Sequence, residues 1–418
     1  MTITFLNVKI NKKEVEKMKL YCRIYQFLMK VGMNFIKWKK PVMISGADAV
    51  SEIPDILKEK NVSSVLIVTD KGIVSFKLHE RLLKVLKENK IDYVIYDKTV
   101  PNPTIDNIEE GLGLYKENGC GAIITIGGGS PMDCAKGIGA RASNPNKTIS
   151  KMRGLLKVKK RPPLLIAIPT TAGTGSETTV AAVITDGETH EKYAINDPKL
   201  VPDYAVLDPN LTVSLPASLT ATTGMDALTH AVEAYIGNSN TKETKQNAVM
   251  AVKLIFRNLT KAVKDGKDLE ARENMQKAAF MAGVAFTRAY VGNVHSIAHT
   301  LGGEYSVPHG LANAIILPKV LEFYGKSIYK KIYKLCEEAE ILTIHKNPKE
   351  RCEAFIAKIY EMNKLYDIPT QVEKLKKEDI NKLAKRAYAE SNPLYPVPKI
   401  MSVQDFEKIY DELLANKY

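Results

Sequence analysis

Asp226 and His230 stand four residues apart in GMDALTHAVEAY, and His295, His299 and His309 follow within VHSIAHTLGGEYSVPHG. The chain has seven histidines, and four of them fall between 230 and 309, in stretches that otherwise have the pattern of apolar helix. On a helix the i,i+4 spacing puts Asp226 and His230 on one face, one turn apart, so both can reach a single ion. One carboxylate with up to three imidazoles, from His230, His295 and His309, suits a borderline divalent metal such as Fe, Zn, Co or Mn. Mg and Ca prefer all-oxygen shells. A lone D-x-x-x-H is weak and usually marks satisfied helical side chains. The full constellation argues for a metal.

A second chemistry is written in two loops. After the apolar run GAIITI comes GGGSPMDCAKGIGA. There Gly127, Gly128 and Gly129 let the backbone approach a phosphate, and Ser130 with the first helical N–H groups can donate to it. The spacing is not G-x-G-x-x-G and follows the third candidate strand, so a tight structural turn is the competing explanation. TTAGTGSE at 170–177 is another glycine- and hydroxyl-rich loop after a strand. Two such loops favour a dinucleotide over a single phosphate. Asp70, ending SSVLIVTD, stands where a carboxylate accepts from a ribose 2′-hydroxyl and repels a 2′-phosphate, which would favour NAD over NADP. Its bland alternative is a helix N-cap.

These residues need elements to position them. Residues 41–212 alternate short apolar strands (SSVLIVTD, IDYVIYD, GAIITIGGG, PLLIAIPT) with helices expected at 47–59, 77–89, 104–117 and 131–141. That is the pattern of a parallel sheet covered on both faces, with ligands at the carboxyl ends of the strands. Beyond a turn at 208–216 the strand signals stop. Helices are expected at 218–235, 242–263, 268–286, 293–301, 310–323, 326–341, 348–364, 376–388 and 402–415. The expected fold is an α/β dinucleotide-binding domain (41–212), a parallel sheet with flanking helices, followed by an all-α metal and substrate domain (213–418). Residues 1–40 form a separate extension. In it, Val15, Met18, Tyr21, Ile24, Leu28, Val31 and Phe35 recur at helical spacing over 14–38, and Lys17, Arg23 and Lys30 interrupt any secretory core. An amphipathic helix packed on the body or on a neighbouring subunit is expected, with docking on a membrane surface as the minor alternative.

At 418 residues the chain exceeds one ordinary core. Hydrophobic content of 45% and charged content of 26% are those of a globular protein without low-complexity tracts. A net charge of +13 raises the question of nucleic acid, but the lysines are dispersed apart from KVKKR at 157–161 and no aromatics interleave with them, so no nucleic-acid partner is expected. No run of about 18 apolar residues exists to span a membrane. The five cysteines, 22, 120, 134, 336 and 352, show no CxxC pair, which fits a reducing, cytoplasmic compartment.

VTD ending at 70, PNPT at 104, GGGSPMD at 133, IPTTAGTGSE at 177, TGMDALTHAVEAY at 235, VHSIAHTLGG at 303 and PHGLANAIILP at 318 together resemble the iron-dependent (group III) alcohol dehydrogenases, over roughly residues 41–320. The resemblance implies Fe(II) on Asp226, His230, His295 and His309, with Zn admitted by the ligand types. It implies that His299 lies beside the substrate and can relay a proton. The dinucleotide would be contacted by Gly127, Gly128, Gly129, Ser130, Asp133, Thr170, Thr171, Thr174 and Lys192, and Phe286 would line the substrate pocket. In AYAESNPLYPVP, Tyr388 stands at or near a position where several members carry a pocket cysteine. The implied activity is NAD(H)-linked hydride transfer to or from a small primary alcohol or diol, in a cytoplasmic homo-oligomer. A lyase pairing NAD with a metal on the same architecture, as in dehydroquinate synthase, is the second reading.

Overall fold

The computed structural model describes residues 12–187 and 191–415, with side chains from residue 16 onward. Residues 1–11 of the expected extension and the side chain of Val15 therefore lie outside the described residues.

The first half builds one six-stranded sheet in the order β1-β9-β6-β4-β2-β3, every neighbour parallel. Its strands are β1 (Val42–Ser45), β2 (Ser64–Val68), β3 (Asp92–Tyr96), β4 (Ala122–Gly127), β6 (Leu164–Pro169) and β9 (Tyr204–Leu207). The central runs SVLIV, AIITIG and LLIAIP are apolar without alternation because both faces are covered. Leu66, Val68 and Ile123 pack under α5 (Ile105–Glu117) and α6 (Gly129–Ser143). Val65, Ile67 and Ile124 face α2 (Ile53–Glu59) and α4 (Glu80–Glu88). Short α3 (Lys71–Ser75) and α7 (Ile149–Met152) fill the connections. A small second sheet, β5 (Gly154–Leu155), β8 (Lys192–Asn196) and β7 (Ala181–Thr185), flanks the first and was not foreseen. The helix expected at 77–89 is also revised: Asp70 caps α3 through Ile73 N (2.9 Å), and α4 begins only at Glu80.

The second half is helical: α8 (Ala217–Ile236), α9 (Lys242–Lys264), α10 (Leu269–Ala289), α11 (Asn293–Tyr305), α12 (His309–Tyr324), α13 (Tyr329–Glu338), α14 (Pro348–Leu365), α15 (Ile380–Ser391) and α16 (Val403–Leu413). Helix starts carry their caps, Thr241 with Thr244 on α9 and Ser402 with Asp405 on α16. From Gly224 to Ile236, α8 is buried on every side, which puts Asp226 and His230 inside the domain core. No described helix is long and apolar enough to cross a membrane.

The extension forms α1 (Lys12–Met33), as expected, but it presents the opposite face to the body. Met18, Tyr21, Ile24, Leu28, Val31 and Phe35 are exposed, whereas Cys22 and Gln26 are buried. The reason is the segment 392–398, whose carbonyls have little ladder pairing and take donors from the polar side of α1.

Candidate active site

Three elements bring the metal candidates together. Asp226 and His230 project from one face of α8, His295 from the first turn of α11, and His309 opens α12. One donor atom from each lies within 4.8 Å of all the others. Gly310 makes this closeness possible, since a Cβ there would meet Thr222 O of α8 at 2.6 Å. Asn313 Nδ2 donates to Asp226 Oδ1 (2.7 Å) and lies 3.3 Å from His295 Nε2 and 3.1 Å from His309 Nε2. Three donor atoms thus converge on one electropositive group, which is the geometry a cation requires.

Burial prepares these imidazoles as ligands. It lowers the pKa of His230, holds His295 well below its ordinary value, and pushes His309 down to about 4. Neutral imidazole is the ligating form. Glu233 is the orienting partner of His295: it lies 2.6 Å from Nδ1 and accepts from Gly292 N and Val294 N (2.8 Å each) at the N-terminus of α11. Its burial nonetheless pushes the carboxyl up to about 7. His230 stacks on Phe286 of α10 at 4.2 Å between centroids.

His299, one turn beyond His295, stacks against His309 (5.3 Å) and stays 44% exposed. Its Nδ1 lies 2.6 Å from Glu390 Oε1, which also accepts from Tyr395 OH (2.9 Å). Partial desolvation works against the charged ring, but Glu390, with Glu233 and Asp226 behind it, outweighs that and the pKa rises. Tyr388, on α15, is half-buried, and Cys22 of α1 contributes to its raised pKa behind the main effect of burial.

The loop residues meet at the carboxyl edge of the sheet. Gly127 adopts φ 150°, and a Cβ there would strike Pro131 Cγ at 2.7 Å. A Cβ on Gly128 would come 3.8 Å from Thr171, and one on Gly129 would come 3.6 Å from Thr174, so the two loops face each other. Thr170 N donates to Gly127 O (3.0 Å). Ser130 Oγ accepts from Asn102 N (3.2 Å). Asp133 accepts from Ser176 Oγ (3.1 Å) and Val183 N (3.1 Å), and burial pushes it up to about 6. Lys192 is exposed on β8, and Asp70 has Oδ1 engaged as the α3 cap. The second loop also reaches the helical half, since a Cβ on Gly175 would meet Gly283 Cα of α10 at 2.8 Å.

Sequence reasoning missed Lys136, Glu233, Asn313, Glu390 and Tyr395. Lys136 is fully buried, and its Nζ faces Ser176 O (2.7 Å), Thr179 Oγ1 (2.7 Å) and Ala181 O (2.9 Å), tying α6 to the second loop. Spacing could have found three of them. Lys136 follows Asp133 by three residues, Glu233 follows His230 by three, and Asn313 follows His309 by four, each on the same helical face.

The family described as iron-containing alcohol dehydrogenase matches residues 41–209, and its C-terminal counterpart, described as Fe-containing alcohol dehydrogenase family, matches 220–414. The chain is 39% identical to the NAD-dependent methanol dehydrogenase of Bacillus methanolicus over 383 residues, covering 90% of this chain and 98% of that one. It is 43% identical to the 1,3-propanediol dehydrogenase of Citrobacter freundii over 280 residues, 66% of this chain and 72% of that one. The solved structure of a 1,3-propanediol oxidoreductase superposes with a TM-score of 0.86 at 35% identity, covering 91% of this chain and 100% of its own. Two family matches spanning both halves, on a fold that gathers one aspartate and three histidines beside two glycine loops, place the chain in the iron-containing alcohol dehydrogenase family.

Proposed function

We propose that the chain interconverts small primary alcohols or diols and their aldehydes, with NAD(H) preferred over NADP(H). The observation that carries this reading is the convergence of Asp226, His230, His295 and His309 on one point, next to a loop that contacts both halves. In this reading those four residues hold Fe(II), with Zn compatible, and Glu233 fixes the His295 ring. When bound, the ion supplies Lewis-acid polarisation of the substrate oxygen, and the nicotinamide exchanges the hydride.

The chain's own residues bind, orient and move the proton. Gly127, Gly128, Gly129, Ser130, Asp133, Thr170, Thr171, Thr174 and Lys192 seat the dinucleotide, and Asp70 accepts from the ribose. Phe286 and Tyr388 shape the substrate pocket. With Glu390 accepting from Nδ1–H, His299 keeps its lone pair on Nε2, where it takes the alcohol proton during oxidation and returns it during reduction. A cytoplasmic location fits five free, buried cysteines. A homo-oligomer fits the exposed apolar stripe of α1.

The test follows NADH absorbance with metal-stripped protein, adding Fe(II) anaerobically or Zn(II), against ethanol, butanol, propanediols and their aldehydes, with NAD and NADP. Metal-dependent NADH turnover is expected. Silence across the panel with metal bound would reject the reading.

A further inference from the structure

The family model matches from residue 41 onward, so α1 lies before the matched region. Its polar face nevertheless ends at the proposed proton relay. Arg23 Nη1 donates to Val397 O (2.7 Å) and Nη2 to Pro398 O (3.0 Å). Gln26 Nε2 donates to Pro393 O (3.1 Å) and Tyr395 O (2.8 Å). The segment NPLYPVP has three prolines and no regular ladder. Asn238 donates to Pro396 O (2.7 Å) and Val397 O (3.0 Å) and Tyr395 N to Ser391 O (2.8 Å), and the four bonds from α1 complete its anchoring, two of them at Pro393 and Tyr395 themselves. Its one long inward side chain, Tyr395, donates to the same Glu390 oxygen that faces His299 Nδ1.

We infer that Arg23 and Gln26 are positioning residues for His299, acting through Tyr395 and Glu390. This rests on the reading that His299 Nε2 exchanges the substrate proton. Tyr395 and the His299 Nδ1–H share one carboxylate oxygen, so a shift of the Tyr395 backbone moves one of the two donors that orient it. Release the segment and Glu390 is free to rotate, after which the ring can turn or carry its proton on Nε2, where it cannot accept another. The exposed apolar stripe of α1 plays no part in this line. What matters is the buried polar face, the one that hydrophobic periodicity does not mark.

The experiment uses full-length, iron-loaded protein with Arg23→Ala and Gln26→Ala combined. Iron content and KM for NAD should be unchanged, and kcat should fall about 10-fold, the low end of the range for residues that support a site from outside it. The solvent deuterium isotope effect on kcat should rise as proton transfer becomes limiting. In a His299→Ala background the pair should cause no further loss, because its effect passes through that ring. Tyr395→Phe, which removes a single hydroxyl, should reproduce the kcat loss and its disappearance in His299→Ala, and serves if the double variant does not fold. Wild-type kcat in Tyr395→Phe, a loss of equal size in the His299→Ala background, or a loss that follows iron content would overturn the inference. Wild-type turnover by His299→Ala alone would sink the relay reading, and this inference with it.

Discussion

At the proposed metal centre, burial rather than charge decides which form each histidine takes. His295 is 2% exposed and hydrogen-bonded to a carboxylate, yet its pKa lies well below ordinary because no solvent remains to stabilise the imidazolium. His309 sits nearer the rim and still drops to about 4. Protons therefore compete with a metal only near these lowered values. Affinity for Zn(II) or Fe(II), measured by chelator competition, should begin to weaken only below the ordinary imidazole value of 6.5, because all three rings have lowered pKa values. A fall beginning at pH 6.5, the ordinary imidazole value, would show the rings to be exposed and the site misassigned. His295→Ala should remove a ligand without touching the helix that carries it. Metal content by elemental analysis should fall to background while circular dichroism holds, and a metal-replete variant would reject the assignment.

Elements were legible in proportion to how strongly their surroundings constrain them. Strands β2, β4 and β6 are buried on both faces and appear as uninterrupted apolar runs, whereas β1 pairs along the sheet edge with half-open residues and β7 and β8 carry polar positions. The metal candidates stood out because histidine is rare here, but Glu233, Asn313 and Glu390 belong to residue types common on any helix surface. For α1 the periodicity gave the helix but not the face that meets the body. Lys136 shows the same limit. Burial lowers its pKa to about 8, with Asp133 and Glu177 opposing, and burial raises those carboxyls to about 6 and about 7. Lys136→Ala leaves both carboxyls without the cation and frees the second loop from α6. Unfolding free energy from urea titration should drop by about 3 kcal/mol, and KM for NAD should rise more than kcat falls. Unchanged stability with unchanged KM would mean the loop holds itself.

Across the whole molecule, the sheet half and the helical half are interlocked rather than merely joined. Gln276 of α10 lies buried with Nε2 donating to Pro169 O (3.2 Å) and Asp208 O (3.3 Å), at the ends of β6 and β9. Ala205 and Leu207 of β9 form a shared cluster with Phe280. Gly175 and Gly283 pack so closely that neither tolerates a Cβ. The second glycine loop is thus part of the seam, and the helices α8, α11 and α12 that carry the metal candidates stand behind it. Loss of metal should weaken the helical half, by about 4 kcal/mol if the ion is present at a thousandfold its Kd. The seam should pass that loss to the sheet. Scanning calorimetry of metal-stripped protein should therefore show one transition at a lower temperature, not two. Two resolved transitions, the lower one restored by added Fe(II), would mean that the halves unfold independently and that the seam transmits little between the glycine loop and the proposed metal centre.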